Sequence, residues 1–279
     1  LRASLRGTHT IGDRERTPIV SFLPAAVGRP RSHLCPSEWL QAPIMTPEAL
    51  ESLTSCPFEV QGRILSASNA TLHCTLETGA PIVYKPQRGE RPLWDFPDGT
   101  LTGREVASFE IDQALGFGLI PPTVWREDGP AGPGMCQLWV DEDDHARLVD
   151  VTPPSEVPKG WLQVLRASDG LGNPVALVHA DDHRLRQMAI LDAVINNGDR
   201  KGGHVITDVD GGVWGVDHGV TLSAEPKLRT VLWGWAGESI PDDLLTAVAG
   251  LEARMHEGMP EVERWLDDWE VTELKSRAR

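Results

Sequence analysis

A chain of 279 residues, 40% of them hydrophobic and 24% charged, is long enough for two lobes with separate cores, and no apolar run approaches the ~20 residues of a membrane-spanning helix. Its 26 basic and 41 acidic side chains give a net charge of −15, which excludes nucleic acid as an expected partner and disfavours anionic lipid surfaces. The four cysteines, Cys35, Cys56, Cys74 and Cys136, contain no Cys-x-x-Cys pair, so neither a zinc ribbon nor a redox motif is indicated and a reducing cytoplasm is the expected setting.

Residues 1–44 are rich in Arg, Pro and Ser, lack periodicity, and read as a disordered or non-native extension. Met45 is the expected natural start, because Thr46-Pro47-Glu48 behind it has the form of a helix N-terminus. Alternation over 58–65 and 71–76, interrupted by the polar tip Ser66-Ala67-Ser68-Asn69-Ala70, predicts a hairpin. A third strand follows at 81–86, with Lys85 next to the Pro86 that ends it. Thr102-Gly103-Arg104-Glu105 has the form of a capping box opening a helix that Gly116 closes. Strands are expected at 124–125 and 135–140, a linker or surface loop at 150–160, and a mainly helical second half. Asp181 or Asp182 caps a buried helix whose residues Met188, Ala189, Ile190, Leu191, Ala193, Val194 and Ile195 are apolar. Amphipathic packing helices close the chain near 244–255 and 262–269.

The buried helix runs into Asn196-Asn197-Gly198-Asp199-Arg200-Lys201-Gly202-Gly203-His204, then a hairpin, then Asp217-His218-Gly219. Two acids eighteen positions apart are thus brought back to one place by a turn at Asp210-Gly211-Gly212. Phosphoryl transfer needs this pair of roles: one carboxylate at the attacking hydroxyl, and another on the metal that bridges the phosphates.

Asp199-Arg200 followed by the Asp217-His218-Gly219 triplet resembles the phosphatidylinositol 3-/4-kinase-like branch of the kinases, which includes HipA-type protein kinases. Tyr84-Lys85-Pro86-Gln87 is similar to the nucleotide-lysine strand of type II phosphatidylinositol 4-kinases, and from Met45 onward the chain resembles an actinobacterial family of such kinase-like proteins. The resemblance implies an α+β, two-lobed protein-kinase-like fold, with a β-rich N-lobe over 45–140 and a mainly helical C-lobe over 141–279. It also implies ATP with Mg2+ or Mn2+ as cofactors and an unidentified hydroxyl acceptor on a lipid, protein or small molecule; from the hydropathy no integral membrane association is expected, and a monomer is the expected state although the sequence does not fix it.

Carried over residue by residue, Lys85 contacts the nucleotide phosphates, Glu105 holds Lys85, Asp199 with Arg200 forms the catalytic pair, and Asp217 binds the metal. Ser66, Ser68 and Asn69 cover the phosphates, while Gln137, Trp139 and Val140 present the backbone edge for adenine. His204, five residues after Asp199, stands where that family has a metal-binding Asn, so either an imidazole takes the place of the amide oxygen at the metal, or His204 packs beside the loop and Asp217 with water holds a single magnesium. Other readings stay open at this stage: a nucleotide-binding scaffold without turnover, a nucleotidyl transferase on the same fold, or a metal hydrolase using His179 and His183. Ala180 stands where the His-Glu-x-x-His signature requires Glu, which argues against the hydrolase. Trp233-Gly234-Trp235 is read as packing, or as part of an acceptor pocket.

Overall fold

The computed structural model describes residues 47–65, 67, 69–91, 93–96 and 100–279, together with the backbone of 19–21. Ser66 and Ser68, expected over the phosphates, lie outside the described residues.

Period-two alternation builds the first layer. Strands β1 (Ile19–Ser21), β2 (Phe58–Ile64), β3 (Leu72–Leu76), β4 (Pro81–Pro86), β5 (Thr123–Arg126) and β6 (Gly134–Leu138) form an antiparallel sheet in the order β1-β2-β3-β4-β6-β5. Within the stretch read as a tail, Ile19–Ser21 therefore takes a defined register, with Ile19 opposite Ile64. Helix α1 (Pro47–Ser55) places Leu53 in the core of this lobe with Cys74, Leu76, Ile82, Tyr84, Cys136 and Leu138. Because side chains alternate along a strand, a buried Tyr84 on the core face commits Lys85 to the opposite face. Gly134 sits across from Pro86, and a Cβ there would fall 2.4 Å from the Lys85 carbonyl oxygen, so the strand beside Lys85 tolerates only glycine.

Helix α2 (Leu101–Leu115) is buried on nearly every side. Phe109, Ile111 and Leu115 join one core with residues of the helices of the second lobe, so this helix belongs to both lobes. The expected capping box is not formed, because Thr102 and Glu105 lie within the helix and Thr100 is the N-cap. Glu90 does the capping from outside: its carboxylate accepts the N–H groups of Leu101 at 3.1 Å and Thr102 at 2.8 Å. Glu105 is thereby released from capping. Gly116, at φ +70°, closes the helix as expected.

The second lobe contains an element that the sequence did not reveal. Strands β7 (Val149–Thr152), β8 (Trp161–Ser168) and β9 (Pro174–Ala180) form a sheet in the order β7-β9-β8, so the expected 150–160 loop begins inside a strand. A register shift between Gln163 and Leu165 breaks the alternation of β8, and most of its residues are exposed, which removes the usual strand signature. Helix α3 (His183–Val194) starts at Asp182, whose side chain accepts the Arg184 N–H. The expected hairpin follows as β10 (Val205–Thr207) and β11 (Val213–Gly215), with Asp208 accepting the N–H groups of Asp210 and Gly212 across its turn. Helices α4 (Asp242–Glu257), α5 (Pro260–Glu263) and α6 (Asp268–Arg277) close the chain. The helix expected over 262–269 is instead split, because Asp267 and Glu270 form a capping box that starts α6.

Asp112 of α2 is fully buried, and one of its oxygens accepts the N–H groups of Leu119 at 2.9 Å and Ile120 at 3.1 Å, fixing the turn into β5. Its other oxygen has no partner, and burial pushes the carboxyl up to about 7 despite those donors. The folded chain therefore holds a proton that the unfolded chain, with an ordinary carboxyl near ~3.9, releases earlier. Asp112 accordingly lowers stability as pH rises between about 4 and 7. In Asp112→Asn, which keeps an accepting oxygen, thermal melts across that window should lose this descending contribution; a slope identical to wild type would exclude Asp112 as its source.

Candidate active site

Three elements converge on Lys85. From β4 its ammonium lies 2.8 and 3.1 Å from the two oxygens of Glu105 on α2, and 2.5 Å from Oδ1 of Asp217 beyond β11. Burial alone would lower the lysine pKa, but the two carboxylates more than offset it and hold the ammonium charged above its ordinary value. Lys85 in turn keeps Asp217 well below the usual carboxylate range, whereas burial raises Glu105 against the pull of the same lysine. Asp217 is half exposed and its backbone is left-handed at φ +59°, a strained state for a residue with a side chain. Gly219 behind it packs against α2, where a Cβ would stand 3.3 Å from the Leu101 carbonyl oxygen and 3.6 Å from Glu105.

The loop carrying Asp199 is fixed from below by Asp192, a fully buried acid on α3 that the apolar pattern of that helix concealed. Asp192 accepts from Asn197 Nδ2 at 2.9 Å, from Arg200 Nη2 at 2.8 Å and from the Thr230 hydroxyl at 2.8 Å. Asn197 Oδ1 then accepts the N–H of Asp199 at 3.0 Å. Asn196, left-handed at φ +51°, donates its amide to the carbonyls of Ser223 and Glu225 and accepts the Lys227 N–H. Both asparagines are therefore positioning residues. The side chain of Asp199 is 41% exposed and pairs with Lys201 at 2.8 Å.

Arg200, expected in the catalytic pair, is not at the cleft. Its guanidinium is fully buried against Asp192, with Nη2 2.6 Å from His218 Nε2 and Nη1 3.3 Å from the carbonyls of His204 and Val216. Since an arginine only donates, Nε2 of His218 accepts and its proton sits on Nδ1. Burial, reinforced by Arg200, holds this histidine neutral.

His204 points Nε2 at Asp217 Oδ2 across 3.7 Å, and its buried Nδ1 has no partner. Burial depresses its pKa, so the ring is held neutral beside the carboxylate oxygen. A neutral imidazole and an ionised carboxylate are ligands one divalent cation can take, once the pair closes from this spacing toward the ~3.0 Å that separates neighbouring octahedral positions. The adenine edge is narrower than expected. Gln137 is paired on both sides, to Val83 and Thr123, and its amide donates to the Thr123 hydroxyl at 2.8 Å. Trp139 donates its N–H to the Pro81 carbonyl at 3.1 Å, which leaves Val140 as the first of the three whose backbone is not tied into the sheet. Asn69 at the hairpin tip accepts the Arg91 N–H at 2.9 Å.

His179 and His183 do not form a metal pair. His179, on β9, accepts the Gly234 N–H through Nε2 at 3.0 Å and stacks on Trp235, while His183 begins α3 beside Asp243. Trp235 is buried against His179 of β9 and donates to Asp181, so it serves packing, whereas Trp233 is exposed.

Removing one partner of the buried Arg200–Asp192 pair strands a charge, so Arg200→Met should cost about 3–5 kcal/mol by chemical denaturation. An effect below about 1 kcal/mol, the range of an exposed pair, would contradict the hub role.

No family model matches the chain. A crystal structure of the Golgi casein kinase superposes with TM-score 0.51 at 14% identity, covering 83% of this chain and 73% of that one. The same kinase with Mn/ADP bound gives 0.52 at 15% identity, with the same coverage. The fold is therefore kinase-like, with a β-sheet N-terminal lobe and a C-terminal lobe in which helices predominate. Protein Rv2133c of Mycobacterium tuberculosis (strain ATCC 25618 / H37Rv) is 55% identical over 204 residues, 69% of this chain and 73% of the relative, and the chain belongs to the family of that protein.

Proposed function

We propose that the chain is an ATP-dependent phosphotransferase that moves the γ-phosphoryl group to an alcohol acceptor. The observation that carries this reading is Lys85, held in one cleft by Glu105 from α2 and by Asp217 from the loop beyond β11. One ammonium between two carboxylates leaves a net negative site, which suits a divalent cation and, through it, polyphosphate. The Mn/ADP in the structurally similar kinase supports the same ligand class here. The motif pattern further supports the phosphatidylinositol 3-/4-kinase-like class, with the acceptor hydroxyl on a lipid, protein or small molecule.

In this mechanism Lys85 orients the nucleotide phosphates, and Glu105 keeps its ammonium in place. Asp217 Oδ2 and His204 Nε2 would hold Mg2+ or Mn2+, with the remaining positions left to phosphate oxygens and water. The cation, when bound, neutralises charge on the β- and γ-phosphates. Asp199 accepts the proton of the attacking hydroxyl as that oxygen bonds the γ-phosphorus and ADP departs. Val140 offers its backbone to adenine.

Transfer of label from γ-labelled ATP to lipid, peptide and metabolite panels tests the reading. Asp199→Ala should lower kcat by about 10²–10⁴-fold with ATP affinity nearly unchanged, whereas Lys85→Met weakens both. Unchanged turnover in Asp199→Ala would rule out its role; ATP binding without transfer in wild type would favour the scaffold reading, and transfer of an α-label the nucleotidyl reading. Manganese should support activity better than magnesium, because an imidazole nitrogen suits it better, and His204→Asn should shift the preference toward magnesium. An unchanged metal profile would remove His204 from the site.

A further inference from the structure

A second cavity, of about 310 Å³, lies away from Lys85 between the N-terminus of α2, the segment 223–225 and the start of α6. Its walls carry Trp94, 89% exposed, and Trp269, 58% exposed, with Phe96 buried beneath. Four carboxylates line it: Asp95, Glu225, Asp267 and Glu270. The protein's own cations show how these walls behave. The Arg104 guanidinium lies 4.8 Å from the centre of the Phe96 ring, and the Lys227 ammonium lies 5.2 Å from Trp94 and 5.8 Å from Phe96. Each is tied to a carboxylate, Arg104 to Glu270 at 2.6 Å and Lys227 to Asp95 at 3.1 Å. Glu225 is 3.4 Å from the same lysine but mostly exposed, and Asp267 accepts only the Glu270 N–H that starts α6. Two cations against four carboxylates leave the lining with an excess of negative charge, and its two indoles remain largely exposed although Lys227 stands over Trp94.

Open indole faces attract cations through the ring quadrupole, and the attraction grows where water is partly excluded. An anion is repelled by the surplus carboxylates, and a neutral apolar ligand would leave them to be desolvated without compensation. We propose that this cavity is a binding site for an organic cation, an ammonium or guanidinium group carried by a small amine or by a basic side chain of a polypeptide. The site lies one residue from Glu105 through Arg104, and the carbonyls of Ser223 and Glu225 are the ones Asn196 holds. An occupant therefore contacts both elements that flank the cleft, while its binding requires no nucleotide.

The test is calorimetric titration of the full chain without ATP, using agmatine as the free cation, a blocked Gly-Arg-Gly peptide as the side-chain source, and the equally blocked Gly-citrulline-Gly peptide as its neutral isostere. Agmatine or the arginine peptide should bind saturably at one site, and the blocked citrulline peptide should not; preference for one of the two cations distinguishes the sources. Trp94→Ala, Trp269→Ala and Glu225→Gln, each checked by thermal melt, should weaken binding at least about threefold. Absence of saturable binding by both cations, equal binding of the citrulline probe, or wild-type affinity in folded Trp94→Ala and Glu225→Gln proteins would overturn the proposal. None of these results depends on phosphoryl transfer, so the two readings fail separately.

Discussion

The cleft depends on one buried ion pair. Arg200 and Asp192 are both withdrawn from water, a costly arrangement unless every donor finds an acceptor. Here Nε and Nη2 meet Asp192, Nη2 also meets His218, and Nη1 reaches the carbonyls of His204 and Val216. Those partners flank Asp217 on both sides, while Asp199 immediately precedes the arginine. A single guanidinium, rigid and planar, thus sets the position of one loop relative to the other. Its replacement by a flexible ammonium could not satisfy the same directions.

Above that hub, the reactive groups are held by parity and by sharing. Strand alternation turns Tyr84 into the first core and Lys85 out of it, and Glu90 takes over helix capping so that Glu105 can face the lysine. Because α2 packs into the helical core through Phe109, Ile111 and Leu115, the Lys85–Glu105 pair is anchored to both lobes. The arrangement is also economical in charge: Lys85 keeps Asp217 ionised, burial keeps His204 neutral, and a carboxylate oxygen and an imidazole nitrogen face each other.

Much of this was legible from residue order. The acids at 199 and 217 joined by a hairpin, the strand-end lysine and the imidazole at 204 were all visible as spacing, and the structure joins Lys85 to Glu105 and Asp217 and sets His204 beside Asp217. What stayed hidden was long-range satisfaction of buried polar groups. Asp192 is the lone acid in an otherwise apolar run, a signal that could have been read, since such a residue must find partners. Arg200 looked catalytic because it adjoins Asp199, but sequence cannot say which way a guanidinium points. Glu90 lies eleven residues before the helix position it caps, out of range of any local capping pattern. The β7-β9-β8 sheet was missed because a bulge and solvent exposure erase the alternation that marks strands.

Fold and chemistry separate at the segment that follows Gly219. Its backbone is locked to the catalytic loop, with Gly198 donating to the Val220 carbonyl, Arg229 donating to Asn197, and Arg200 donating to Arg229. Thr230 adds its hydroxyl to Asp192. These bonds use main chain and buried groups, so they fix the path of the segment without constraining the side chains it turns outward. Glu225, Trp233 and Ile240 are such side chains. A kinase-like scaffold can therefore keep this framework while the outward residues differ, and likeness of fold at 14–15% identity carries no acceptor with it.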